Sequence, residues 1–139
     1  MDFHPLDKNA LISCGKGHIS FWTFENGVLY KKLGIFDHRD KPKYVTCLAF
    51  TGNGDVVSGD SSGNILIWAR GTNVVAKAIR NAHEGPIFSI YALKDGEILS
   101  GGGKDGRVVQ WDAELTKAEV ETVVSILFII FYFVLFSLH

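Results

Sequence analysis

Three glycines, Gly101, Gly103 and Gly106, stand at the spacing G-x-G-x-x-G, which can wrap a dinucleotide pyrophosphate. That chemistry needs a helix directly after the glycines, because the pyrophosphate rests on the free N–H groups of a helix N-terminus. The run that follows here is RVVQW, a strand pattern, so the glycines read as a hairpin turn. No P-loop, H-E-x-x-H, EF-hand loop or C-x-x-C pattern occurs. The five histidines are scattered, whereas a metal site needs several ligands at converging positions. No serine sits on a recognisable nucleophile elbow and no carboxylate pair stands out. Asp55, Asp60 and Asp105 read as turn residues. No catalytic residue, cofactor site or metal ligand is therefore expected, and the chain reads as a non-enzyme. The one segment suited to a partner is basic. Residues 31–43, KKLGIFDHRDKPK, hold Lys31, Lys32, Arg39, Lys41 and Lys43 against Asp37 and Asp40, a net charge of +3 with His neutral. Such a loop can meet an acidic protein surface through salt-sensitive contacts, and it can equally be a solvated connection.

The elements that carry these residues follow from composition and repeat. The 139 residues suggest one domain at most; they are 47% hydrophobic and 21% charged, which is enough to fold. A formal net charge of −1 does not advertise nucleic acid as a partner. Fifteen glycines against three prolines, with ten phenylalanines, four tyrosines and three tryptophans, suit short strands joined by tight turns. Cys14 and Cys47 fall in apolar runs and are too few for a disulfide framework, which points to a reducing, cytosolic setting. The first residues, MDFHPLDKN, lack the basic and apolar parts of a signal peptide.

Three segments line up: ALISCGKGHISFW at 10–22, DVVSGDSSGNILIW at 55–68 and EILSGGGKDGRVVQW at 97–111. Each has an apolar run, a serine, a glycine-rich turn, a second apolar run and a tryptophan. Trp22, Trp68 and Trp111 therefore mark a period close to the 40–45 residues of a four-stranded propeller blade. Between the hairpins lie further strand candidates: the run after Asn26-Gly27, then YVTCLAF at 44–50, VVAKAI at 74–79 and PIFSIYAL at 86–93. About ten strands are expected, and no helix before residue 113. The fold class is all-β, an incomplete β-propeller of about two and a half four-stranded antiparallel blades over residues 1–121. Phe3-His4-Pro5 stands where an inner strand turns back, so the strand before it is expected to be missing. A blade without neighbours on both sides exposes apolar surface, so the piece is expected to depend on further blades or a partner.

The third repeat resembles the WD-repeat family. Ala82-His83 stands where that family has Gly-His, and Ser100, Asp105 and Trp111-Asp112 follow in order. The resemblance implies a buried hydrogen-bonded network of His83, Ser100, Asp105 and Trp111. Lys16 and Ser62 occupy the aspartate position in the other two repeats. A narrower resemblance covers nearly all of residues 2–121. The runs FHPLDKNALISCGKGHISFWTFENG, KPKYVTCLAF, GDSSGNILIW, AHEGPIFSIYALKDG and LSGGGKDGRVVQW look like the echinoderm microtubule-associated protein-like family. That resemblance implies part of the first of two fused propellers, in the cytoplasm and on the cytoskeleton. It implies tubulin or microtubules as partner, other proteins on the propeller faces, and neither catalysis nor cofactor. A general WD-repeat interaction scaffold is the alternative. The family's N-terminal coiled coil and basic region have no counterpart in these residues.

The pattern breaks at residue 122. Residues 122–139, TVVSILFIIFYFVLFSLH, form an apolar tail read as helical. Over Val123–Leu138 a helix would span about 24 Å, short of the roughly 30 Å hydrocarbon core of a bilayer. A membrane anchor at 123–138, an end foreign to the repeat and a buried propeller element are the three readings of this tail.

Overall fold

Glycine- and asparagine-led turns divide the chain into twelve strands in the computed structural model, which describes residues 2–37, 40–93, 96–112 and the strand at 118–123. The strands are β1 (Asp2–Phe3), β2 (Ala10–Gly15), β3 (His18–Glu25), β4 (Val28–Leu33), β5 (Val45–Phe50) and β6 (Val56–Asp60). They continue as β7 (Ile65–Trp68), β8 (Val75–Ile79), β9 (Ile87–Ala92), β10 (Ile98–Gly102), β11 (Arg107–Trp111) and β12 (Ala118–Val123). All pairings within the sheets are antiparallel, in the orders β1-β2-β3-β4, β5-β6-β7-β8 and β9-β10-β11-β12. Three sheets built as successive four-strand meanders are the architecture of propeller blades.

The expected ten strands are short by two. Asp2 and Phe3 pair with Ile12 and Leu11, so the first sheet has an abbreviated innermost strand where none was expected. The outer strand of the third sheet runs from Ala118 across the compositional break, with Thr122 opposite Val108 and Val123 opposite Arg107. Two residues carry no periodicity, and the break drawn at residue 122 cuts AEVETV in two, so neither strand was counted. The Asn26-Gly27 turn takes φ of 51° and 77°, the doubly left-handed form that joins β3 to β4 in a two-residue hairpin. The helical reading of 122–139 does not hold for Thr122 and Val123, which lie in β12, and from residue 124 on it falls, with the membrane-anchor reading of 123–138, outside the described residues. No helix among the described residues is long and apolar enough to cross a membrane.

The core sits in two seams between sheets. Alternation along each strand sends one set of side chains to each face. In the second sheet Val56, Leu66 and Trp68 meet Ile12 and Ile19 of the first, while Val57, Ile65 and Ile67 meet Ile90, Ile98, Val109 and Trp111 of the third. A tryptophan therefore faces the preceding sheet at both seams. Trp68 is fully buried, with Phe21 and Phe36 at ring-centroid distances of 5.5 and 5.2 Å. Gly34 belongs to the same seam: a Cβ there would collide with Ile19 and stand 3.0 Å from the Trp68 ring. Trp22, on the face of the first sheet turned away from the second, is only half-buried and has the Lys31 ammonium 5.2 Å from its ring.

The seams predict a contrast between equivalent residues. Trp68→Ala should cost about 3–5 kcal/mol of unfolding free energy, in the range for a buried aromatic. Trp22→Ala should cost about 1 kcal/mol, since it loses one hydrogen bond and partial burial. Urea unfolding of the full chain checks this, and equal losses would contradict the seam assignment.

Candidate functional site

Antiparallel meanders put their turns at two ends. One end carries the β1–β2, β3–β4, β5–β6, β7–β8 and β9–β10 turns. The other carries the β2–β3, β6–β7 and β10–β11 turns and the connectors between sheets, residues 34–44 and 80–86. Of the WD-type residues His83 and Asp105 lie at this connector end, and the other two, Ser100 and Trp111, stand on the strands that lead away from it.

His83 lies in the second connector, Ser100 on β10, Asp105 in the β10–β11 turn and Trp111 at the end of β11. His83 Nδ1 is 3.0 Å from Asp105 Oδ2, His83 Nε2 is 2.7 Å from Ser100 Oγ, and Trp111 Nε1 donates to Ser100 Oγ at 2.9 Å. Donor counting assigns the protons. Ionised Asp105 can only accept, so Nδ1 carries the imidazole hydrogen. Ser100 Oγ accepts from the indole, so its own hydrogen points at Nε2. The result is a one-way chain from Trp111 through Ser100 and His83 to Asp105. Asp105 also accepts from the N–H groups of Glu84 and Arg107.

Burial disfavours a charged imidazole and holds His83 below its ordinary value, although Asp105 pulls the other way. Burial pushes Asp105 up, but the N–H groups of Arg107 and Glu84, with His83, outweigh it and hold the carboxyl below the usual range. Gly102 leaves room for this carboxylate: a Cβ there would strike Asp105 Oδ1 and stand 2.6 Å from His83 Nδ1.

The serine–tryptophan link recurs in every sheet. Trp68 Nε1 donates to Ser58 Oγ at 3.0 Å and Trp22 Nε1 to Ser13 Oγ at 2.9 Å. The rest of the chain of bonds does not recur. In the second sheet Ser62, at the aligned aspartate position, is exposed, and the carboxylate comes from Asp60. Its Oδ1 accepts from Ser62 and Asn64 N–H at 2.8 and 3.1 Å, while Oδ2 is buried without a hydrogen-bond partner among the described residues. Burial, helped by the nearby Asp40 charge, therefore pushes Asp60 up against the pull of those N–H groups. Lys16, at the aligned position in the first sheet, is exposed and bridges to Tyr44.

The basic candidates are not one cluster. Lys31 pairs with Trp22 across β3 and β4, on the open face of the first sheet, whereas Lys32 pairs with Phe21 on the opposite face. Lys41 and Lys43 are exposed in the first connector, either side of buried Pro42. Arg39 lies outside the described residues. Asp40, counted against these cations in the sequence, is buried and held in a two-pronged pair by Arg80, at 2.8 Å from Nε and 2.9 Å from Nη2.

Two ties were not foreseen from the sequence. One is this Asp40–Arg80 pair, 40 residues apart. The other is His4, whose Nδ1 accepts from Leu6 and Asp7 N–H, so that Nε2 donates to Gly54 O at 2.7 Å and links the first two sheets. A His-Pro before a turn and an Asp near two lysines are the only traces of them in the text. Among the described residues no group of three or more His, Cys, Asp or Glu side chains could hold a metal ion. Cys47 is partly buried, and desolvation pushes its thiol up to about 12, out of reach of thiolate chemistry near neutral pH.

A family profile described as the echinoderm microtubule-associated protein first beta-propeller matches residues 1–127. Echinoderm microtubule-associated protein-like 1 of Mus musculus is 51% identical over 122 residues, covering 86% of this chain and 15% of the relative. The 77 kDa echinoderm microtubule-associated protein of Strongylocentrotus purpuratus is 52% identical over 122 residues, covering 88% and 18%. Echinoderm microtubule-associated protein-like 2 of Homo sapiens is 50% identical over 117 residues, covering 84% and 18%. The chain thus spans less than a fifth of the length of these relatives.

The network sets the acid response of the fold. The unfolded chain takes a proton on His83 near pH 6.5, where the folded imidazole still refuses it. Stability from this group is complete above that value and drains as pH falls below it. Asp105 adds stability above about pH 3.9 that is lost as pH falls through its lower folded value. His83→Gln should lower stability at pH 7 and remove the part of the decline below about pH 6.5 that His83 supplies. Urea midpoints across that window measure it, and an unchanged slope would contradict the assignment.

Proposed function

Because the chain belongs to the echinoderm microtubule-associated protein family, we propose that it is a non-catalytic part of a propeller that associates with microtubules in the full-length protein, in the cytoplasm. Tubulin is the partner on this reading, and other proteins use the remaining propeller faces. The observation that carries it is the state of the first connector. Lys41 and Lys43 are both exposed, and the neighbouring Asp40 charge is already matched by Arg80. The connector therefore offers more free positive charge than its composition suggests. An acidic surface meets such a loop by long-range attraction, which speeds association and fades as salt shortens its reach. No step of bond making is involved, and the contribution of the fold is to hold the connector at the rim on a rigid pair of sheets.

Charge reversal tests this in the full-length protein. Lys41→Glu with Lys43→Glu should weaken microtubule co-sedimentation about tenfold at low salt and flatten its salt dependence. Both residues are exposed, so the unfolding midpoint should hardly move. Unchanged binding across a salt series would sink the proposal.

A further inference from the structure

The two ends of the sheets differ in charge. At the connector end Lys16, Lys41, Lys43 and Lys104 are exposed, against exposed Asp37 and Glu84. At the opposite end Asp7, Glu25, Asp55 and Glu97 outnumber Lys8 and Arg70 among the described residues. Buried charges do not alter this contrast: Asp40 is matched by Arg80, and Asp60 has no exposed surface to present.

The connector end also carries two exposed rings beside its lysines. Tyr44 and Phe88 are 43% and 42% exposed, each next to the first residue of an inner strand, β5 and β9. Backbone and side-chain contacts join them into one row. Lys16 bridges to Tyr44 across the first two sheets. The Tyr44 carbonyl accepts from Ser61 N–H, which ties the residue to the β6–β7 turn. Thr46 Oγ1 donates to Ile87 O at 2.8 Å and brings the starts of β5 and β9 together. Gly103 stands against Phe88, with a Cβ placed there 3.9 Å from Phe88 Cβ, and Lys104 follows it. Lys104 meets Glu84 only at 3.9 Å with both side chains exposed, a pair weak enough to yield to a competing carboxylate.

We propose that this row, Lys16, Lys43, Tyr44, Phe88 and Lys104, binds an acidic linear peptide across the inner ends of the sheets. The lysines take its carboxylates, and the two rings take apolar side chains between them. Exposed rings flanked by cations also suit single-stranded nucleic acid, through base stacking. The arrangement favours the peptide: the lysines stand at separate points along the row with the two rings between them, which suits spaced carboxylates and apolar side chains better than a continuous phosphate backbone. This inference deepens the tubulin reading by naming the chemistry of the segment recognised and the residues that recognise it.

The test is fluorescence anisotropy of the full chain with a labelled glutamate-rich peptide containing one phenylalanine. Saturable binding is expected, weakened about tenfold by Lys16→Glu with Lys104→Glu and several-fold by Phe88→Ser. Lys8→Glu, at the opposite end, should leave it unchanged. No saturable binding, equal loss in the Lys8 variant, or tighter binding of an oligonucleotide of the same charge would each overturn the proposal. Microtubule co-sedimentation is read separately. Peptide binding without co-sedimentation counts against the microtubule reading alone, and co-sedimentation without peptide binding counts against this one.

Discussion

A tryptophan can be buried between two sheets only if its N–H finds an acceptor there, and each sheet of this chain supplies a serine for the purpose. An indole left unbonded in an apolar seam would forfeit a hydrogen bond to water with nothing in return. The pairs Ser13–Trp22, Ser58–Trp68 and Ser100–Trp111 solve this on adjacent strands of one sheet, so the solution is internal to each repeat. What the repeat cannot supply is the other wall of the seam. Trp68 has one in Ile19, Phe21 and Phe36, and Trp111 has one in the second sheet. The same residue type with the same hydrogen bond is thus a core residue in two sheets and half-exposed in the first.

The three hairpins show how far such a unit can vary around that fixed pair. The serine and tryptophan are 9, 10 and 11 residues apart in successive sheets, because the turn between them lengthens. In the third hairpin the extra length carries Asp105, and Gly102 clears the space its carboxylate fills. In the second hairpin the residue two after the serine is Asp60 rather than a glycine, and the carboxylate enters from the strand itself. The two solutions exclude one another on steric grounds: a side chain at Gly102 collides with the carboxylate at 105. They also differ in energetics. Asp105 has His83 and two backbone donors and sits low, whereas Asp60 keeps one buried oxygen without a partner and sits high.

The strand pattern and the WD-type constellation were legible because they rest on local chemistry. Asn26-Gly27, the glycine turns and the recurring tryptophans each act within a few residues, and the hairpins they imply are present. His83, Ser100, Asp105 and Trp111 stand together at the positions their order suggested. What was not legible depends on partners far along the chain. β1 is too short for a period, and β12 straddles the break at residue 122 and is defined by its register with β11. Asp40 looks like one of two acids diluting a basic loop until Arg80, 40 residues later, takes it out of the count. Alignment by type alone put Ser62 at the aspartate position and passed over Asp60, because nothing local says that a strand-end carboxylate can replace a turn carboxylate.

The basic stretch at 31–43 shows why composition misleads in a sheet protein. Lys31 and Lys32 are adjacent in sequence, yet the two-residue period of β4 sends them to opposite faces, where Lys31 covers Trp22 and Lys32 lies beside Phe21. Their charges belong to the wall of the blade, and among the described residues of the stretch only Lys41 and Lys43 remain at its end. The cations that join them there, Lys16 and Lys104, come from hairpin turns 25 residues before Lys41 and 61 residues after Lys43. A binding end in this architecture is assembled from turns that recur once per repeat, so its charge is set by what each turn contributes and by which charges are consumed internally. Local runs of lysine are a poor guide to it, and the residues next to the inner strands are a better one.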